Sequence, residues 1–345
     1  MHRAIFVVCL VLGFVANPAV SALSASLGGA TGGSPSSAPV GIFSDSPPTE
    51  RMLQAPQAGF VDGFLVRVFW KNLEPEDGRF NWDLFDRPIE MAQRHGKKIT
   101  LAVVCGPMSP DWLYSEGAKS FSFTFNNPYL RFSGRTFRIP LPWDPVYLAK
   151  WEALIKALGA RYNQNATVVL VHMTTSTKNG FEMQIPVAMR SVSGFSDSKI
   201  IDSTEKVMNA FSLAFPDKYL DIDLHPLFDQ GLHDNSVARE IARYGHERIG
   251  RRFGIFASWW SNRNSLVFAA QYDLTVSSAQ SSFATVQMAG SETRTPFRLD
   301  LASSADLAMR NGIRYLEIWP ADLLNDRFEG LFERIHERLH KGTGQ

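Results

Sequence analysis

Seven ionisable residues and a glutamine have the types and spacing to share one reactive centre. In Asp221-Ile222-Asp223-Leu224-His225 and in Tyr315-Leu316-Glu317-Ile318-Trp319, polar or aromatic residues alternate with aliphatic ones. Side chains of a strand point alternately to its two faces. Asp221, Asp223 and His225 therefore share one face, and so do Tyr315, Glu317 and Trp319. The same alternation sends Arg67, His172 and Gln287 away from the aliphatic face of their own runs. Each alone has a plain structural reading, His172 as a core residue with its hydrogen bonds met and Asp221 as a partner for a neighbouring strand. Together they put ionisable groups from at least four strands into one interior. Burying each costs several kcal/mol unless it pairs or reaches water. Stability does not ask for such an arrangement, so the shared interior reads as a site. Two more carboxylates, Glu182 in Asn179-Gly180-Phe181-Glu182 and Glu292 in Gly290-Ser291-Glu292, stand in loops that follow apolar runs.

The elements that must position these residues repeat along the chain. Eight apolar runs are each followed by a helical pattern or by a loop leading into one. They are Val40–Phe43 (short), Phe64–Trp70, Ile99–Val104, Thr167–Met173, Tyr219–Leu224, Phe253–Trp260, Phe283–Met288 and Ile313–Trp319. Asp144-Pro145 opens the clearest helix, with Leu148, Trp151, Ile155, Leu158 and Tyr162 at helical spacing. Strands alternating with helices imply a parallel sheet covered by helices. Eight of them predict one α/β domain, a (β/α)8 TIM barrel, with an open doubly wound sheet as the alternative. After the third run comes an aromatic insertion, residues 107–143, where Phe121, Phe123 and Phe125 alternate. It predicts a β-hairpin on the barrel rim.

Composition sets further bounds. The chain has 345 residues, a net charge of +1, 45% hydrophobic and 20% charged residues. No basic block points to nucleic acid or to an anionic membrane. Met1-His2-Arg3, the apolar run Ala4–Ala16 and the small residues Val20-Ser21-Ala22 predict a cleaved signal peptide over 1–22, hence a secreted or periplasmic protein. Residues 23–38, rich in Ser, Gly and Ala, read as a linker. Residues 39–342 remain for the barrel, more than the ~250 typical of that fold. Cys9 leaves with the signal, so Cys105 has no intrachain disulfide partner. Oligomeric state is silent.

One stretch carries a resemblance. Trp70-x-x-Leu73-Glu74-Pro75-x-x-Gly78-x-x-x-Trp82, followed by Asp86, Gly96 and Pro110-x-Trp112-Leu113, resembles the second and third strands of clan A glycoside hydrolases. It is most similar to family 42 β-galactosidases and family 5-like glycosidases. The resemblance implies a (β/α)8 barrel that cleaves O-glycosidic bonds of an oligosaccharide or polysaccharide, and Arg67 matches the second-strand arginine beside the catalytic carboxylates. Glycosidases of this kind use two carboxyl groups, one as acid and one as nucleophile or base. The resemblance places them after strands four and seven. Glu182 is then the general acid/base, although the clan's Asn-Glu dipeptide is absent and Glu182 comes nine residues after Met173. The nucleophile is Glu317, set midway in an apolar strand, or Glu292, which follows strand seven. Arg67, Trp70, His172, Asp223, His225, Trp260, Gln287 and Trp319 are the expected substrate-binding residues, with Trp319 as the floor under the reacting sugar. No cofactor and no metal is expected. Two rivals stay open: a carbohydrate-binding barrel that hydrolyses nothing, and a metal-dependent barrel enzyme using His172, Asp221, Asp223 and His225. The spacings of those four residues match neither His-x-His nor His-Glu-x-x-His.

Overall fold

A computed structural model describes residues 37–125, 133–229, 235–295 and 299–341. The expected signal peptide and most of the linker lie outside the described residues. Eight parallel strands close into a barrel: β1 (Gly41–Ser44), β2 (Val61–Phe69), β3 (Lys98–Val104), β6 (Val168–Met173), β7 (Tyr219–Asp223), β8 (Phe253–Trp260), β9 (Phe283–Met288) and β10 (Tyr315–Ile318). Around the barrel they run in the order β1-β10-β9-β8-β7-β6-β3-β2. The (β/α)8 expectation is met, and closure rules out the open doubly wound sheet.

Helices Asp83–Arg94, Pro145–Tyr162, Asp197–Ala214, Ser236–Arg248, Ala269–Ser281, Leu301–Arg310 and Glu329–His340 surround the barrel. β1 is followed only by the single turn Glu50–Leu53 and the 3-10 turn Pro56–Phe60. The helix Pro145–Tyr162 shows how the sequence sets an element. Asp144 accepts hydrogen bonds from the amides of Val146 and Tyr147, both at 3.0 Å, and Pro145 occupies the first turn. Trp151, Leu154, Ile155 and Leu158 then bury one face, each contributing about 1.5–3 kcal/mol by leaving water. The Trp151 indole donates to the Thr174 carbonyl at 3.0 Å, pinning this helix to the end of β6. Among the described helices none is long and apolar enough to cross a membrane.

The insertion forms the predicted hairpin, β4 (Ser120–Thr124) antiparallel to β5 (Thr136–Pro140); Asn126-Asn127-Pro128 at its tip lies outside the described residues. Its Phe125 ring meets Phe123 and Phe137 at centroid distances of 5.3 Å. Ser176 donates to the Pro140 carbonyl at 2.6 Å, tying the hairpin to the loop after β6. Inside the barrel, Phe43 stacks on Tyr315 at 4.2 Å and Tyr219 meets Phe283 at 5.1 Å. This aromatic layer closes the barrel below the polar residues and leaves them facing the C-terminal mouth, where barrels of this kind carry their sites.

Candidate active site

Register brings the polar strand residues together. His172 of β6 lies beside Asp221 of β7, and Glu317 of β10 beside Gln287 of β9. His172 contacts Asp221 Oδ1 through Nδ1 at 2.5 Å and Glu317 Oε1 through Nε2 at 3.0 Å. Tyr315 donates to Glu317 Oε1 at 2.8 Å and Gln287 to Oε2 at 3.0 Å. Thr100 and Thr285 complete the network through the Tyr315 hydroxyl and Asp221 Oδ2. Glu317 and Asp221 are fully buried and His172 nearly so. Burial alone would depress the imidazole, but the charges and hydrogen bonds of Asp221 and Glu317 outweigh it and lift His172 to about 10. His172 is thus a cation at neutral pH, bridging two carboxylates. Burial pushes Asp221 up, while His172 and Thr285 oppose the rise.

At the mouth, Asp45 follows β1 and meets Arg67 of β2. The Arg67 guanidinium donates to the Asp45 carbonyl at 2.8 Å and to Oδ2 at 3.3 Å. Burial raises the Asp45 carboxyl to about 6; Arg67 pulls it down and nearby Glu317 adds to the rise. The sequence pattern does not single out Asp45, because the first apolar run stops at Phe43. The strand reaches Ser44, so Asp45 takes the residue position directly above the barrel.

A second cluster sits on the loop after β6. Glu182 lies near Asp223 and His225, which pair at 2.5 Å. Asp223 also accepts from the amides of Met183 at 3.0 Å and Ser258 at 3.2 Å. Burial raises the Glu182 carboxyl above its usual range; Asp223 adds to the rise, while His225 and Lys178 oppose it. His225 is raised because Asp223 and Glu182 outweigh its burial. Asn179 Oδ1 accepts from the amides of Phe181 and Glu182 at 3.0 and 2.8 Å, turning the loop inward. Gly180, at φ +76°, crosses the backbone after β3 so closely that a Cβ would lie 2.2 Å from the Cys105 carbonyl oxygen. Phe181 roofs the strand network, 5.5 Å from His172 and 5.6 Å from Phe256 between ring centroids, with the Arg67 guanidinium 5.0 Å from its own. A cavity of about 20 Å³ between Glu182, Asp223, Met173 and Thr175 has room for one water.

Other expected residues lie elsewhere. Trp70 and Trp260 are fully buried between barrel and helices, so neither offers a face to a sugar. Their indoles donate to Glu74 Oε2 at 2.7 Å and to the Ser304 carbonyl at 2.9 Å. Trp70 faces the helices by the alternation that sends Arg67 inward, whereas Trp260 shares the parity of the inward Phe256 and is turned outward by a register shift between Ala257 and Trp260. Trp319 directly follows β10 at the mouth, half-buried, with its indole donating to the Met288 carbonyl at 2.7 Å. Glu292 accepts from the Leu301 amide at 2.7 Å and pairs with Arg327 at 3.0 Å. It caps the helix Leu301–Arg310, which is a structural task. His172 with Asp221, and His225 with Asp223, form two separate pairs and not one converging ligand set.

Residues 54–184 match the model of glycoside hydrolase family 42, described as beta-galactosidase. That span covers β2, β3, the hairpin, β6 and the loop bearing Glu182, and stops before Gln287 and Glu317. A β-galactosidase of Clostridium perfringens is 25% identical over 156 residues, 44% of this chain and 21% of that protein. The chain therefore spans only part of the length of this curated relative. Among solved structures, the catalytic domain of β-amylase from Paenibacillus polymyxa aligns over 88% of this chain and 99% of its own, with a TM-score of 0.61 at 9% identity. A cold-adapted β-galactosidase from Rahnella sp. R3 aligns over 88% and 56%, with a TM-score of 0.55 at 12% identity. At these identities the likeness is one of fold. The resemblance carried by the segment from Trp70 to Leu113 is thus matched by an independent family model, and the closed barrel by both structures.

Proposed function

We propose that this chain is a secreted or periplasmic glycosidase acting on an oligosaccharide or polysaccharide, with Glu317 as nucleophile and Glu182 as general acid/base. The observation that carries the proposal is Glu317: a fully buried carboxylate held at the barrel mouth by Tyr315, His172 and Gln287. Its three donors fix both carboxyl oxygens, and His172, raised to about 10, places a positive group beside it. Glu182 suits the opposite role, because burial raises its carboxyl above the usual range and a leaving oxygen needs a proton donor. Arg67 and Asp45 border the position where charge develops, and Trp319 offers the remaining aromatic face. β-Galactosides are the first substrates to test, since the matched family and the Clostridium relative carry that name. A sugar enters only when the Phe181 loop lifts from His172.

A carbohydrate-binding barrel without catalysis is the second reading. The one-water cavity beside Glu182 and the loop position of that residue favour it. Hydrolysis of a panel of aryl glycosides by wild type, Glu182→Gln and Glu317→Gln separates the two. The proposal expects wild-type turnover that Glu317→Gln loses on every substrate and Glu182→Gln loses on those with poor leaving groups. Sugar binding without any turnover by wild type would establish the second reading instead.

A further inference from the structure

The last helix carries His336-Glu337-Arg338-Leu339-His340, a spacing that puts two imidazoles one turn apart on one face. The helix Glu329–His340 packs at the N-terminal end of the barrel, away from the mouth, where β2 begins. There the two rings face Asp62, their centroids 4.4 Å apart. His340 Nε2 lies 3.1 Å from Asp62 Oδ1, and His336 Nδ1 lies 3.3 Å from Asp62 Oδ2. One donor atom from each of the three residues falls within 4.8 Å of the other two.

We propose that Asp62, His336 and His340 bind a divalent transition-metal ion, with Zn²⁺ as the best fit. Bonds of about 2.0–2.2 Å to imidazole nitrogen and carboxylate oxygen make tetrahedral ligand–ligand edges of roughly 3.3–3.5 Å. The two nitrogen–oxygen separations already approach that edge. The ligand chemistry, two imidazoles and one carboxylate, suits Zn²⁺, Cu²⁺ or Ni²⁺ and not Mg²⁺ or Ca²⁺, which take oxygen.

The surroundings hold the ligands in place. Asp62 Oδ2 accepts from the Ile42 amide at 2.8 Å, which leaves Oδ1 turned to His340. Gly41 is what admits the carboxylate, since a Cβ there would lie 2.2 Å from Asp62 Oδ2. His336 Nδ1 is buried and has no hydrogen-bond partner of good geometry, so a donor atom is available at the point where the ion would sit. Arg314 donates to the Leu339 carbonyl and fixes the last turn of the helix. Solvent reaches the half-buried rings and supplies the fourth ligand as water.

The site is not that of a metallohydrolase, despite the spacing of its histidines. Glu337, which would have to activate the metal-bound water, turns outward to Lys341 at 2.7 Å. Binding there instead ties the last helix to the first turn of β2, across a separation of 278 residues.

The test uses the full, tag-free chain, stripped with a chelator and titrated with Zn²⁺ by calorimetry and with Co²⁺ by visible absorption. Wild type is expected to take up one equivalent, to melt at a higher temperature with Zn²⁺, and to give the intense Co²⁺ bands of a four-coordinate site. His336→Ala and His340→Ala should each weaken binding by at least about 100-fold, more than losing an outer-shell partner costs. Glu337→Ala, on the solvent side of the same turn, should bind as wild type. His340→Gln, which keeps a polar group beside Asp62, should fold with wild-type circular dichroism and still lose the metal. No saturable Zn²⁺ uptake by wild type, or uptake unchanged in both histidine variants, would overturn the proposal.

Discussion

The two candidate carboxylates are held in opposite ways. Glu317 stands on a strand, in register beside Gln287, and every oxygen has a donor from the barrel interior. Glu182 stands on a loop whose path is set by an Asn179 turn and by the Gly180 crossing over Cys105. The strand residue is fixed by Tyr315, Gln287 and His172, whose imidazole is raised to about 10 by the carboxylates it bridges. The loop carboxyl is raised above its usual range by burial and Asp223, only partly offset by His225, Asn179 and Lys178. A nucleophile and an acid differ in that same way, and a loop-borne acid moves with whatever admits the substrate.

If that contrast holds, substitutions in the two regions should divide stability from activity. The largest effect on stability is expected from His172→Ala, which leaves Asp221 and Glu317 buried without their shared cation. Breaking a buried pair this way costs about 3–5 kcal/mol, measurable by chemical denaturation. Glu182→Gln should instead lower hydrolysis by about 10²–10⁴-fold, the usual worth of a general acid, with an unfolding midpoint close to wild type. Gly180→Ala forces a side chain into a positive-φ crossing. It should cost about 1–3 kcal/mol and reduce turnover by displacing Glu182. Glu292→Gln removes a half-exposed pair with Arg327 and a helix cap, so about 1 kcal/mol of stability and no change in kcat are expected.

The pH dependence sharpens the same comparison. The folded-state His172 is raised from 6.5 to about 10, so its contribution to stability is fully present below about pH 6.5 and is lost as pH climbs through 10. Asp45 is a carboxyl raised from 3.8 to about 6; the folded state binds its proton more tightly, and stability falls as pH rises between those values. Denaturation midpoints across pH should show that lower fall flattened in Asp45→Asn and the alkaline loss flattened in His172→Gln.

The barrel was legible because its runs obey one local rule, alternation with apolar residues on the helix side, and Arg67, His172, Asp221 and Glu317 take their inward places from it. What the sequence hid depends on contacts far apart in the chain. Trp70 and Trp260 look like sugar platforms until register turns them toward the helices. Asp45 follows a strand of only four residues, too short for a periodicity to define its end. Glu292 shares the loop chemistry of Glu182, and only its distant contacts with Leu301 and Arg327 reveal a cap. In the Asp62–His336–His340 cluster the two histidines share a local helical spacing, but Asp62 comes from the other end of the barrel sequence and no local pattern connects it to them.

The central claim, a division of labour between a strand-borne nucleophile and a loop-borne acid, is tested most directly with leaving groups of different acidity. A dinitrophenyl glycoside departs without help from an acid, whereas a plain phenyl or alkyl glycoside needs one. Glu182→Gln should keep a kcat/KM close to wild type on the dinitrophenyl substrate, with kcat lowered by loss of the base in the second step, and lose the others, while Glu317→Gln should cleave none of them. Equal losses in Glu182→Gln on every leaving group, or a Glu317→Gln variant that turns over like wild type, would contradict the account.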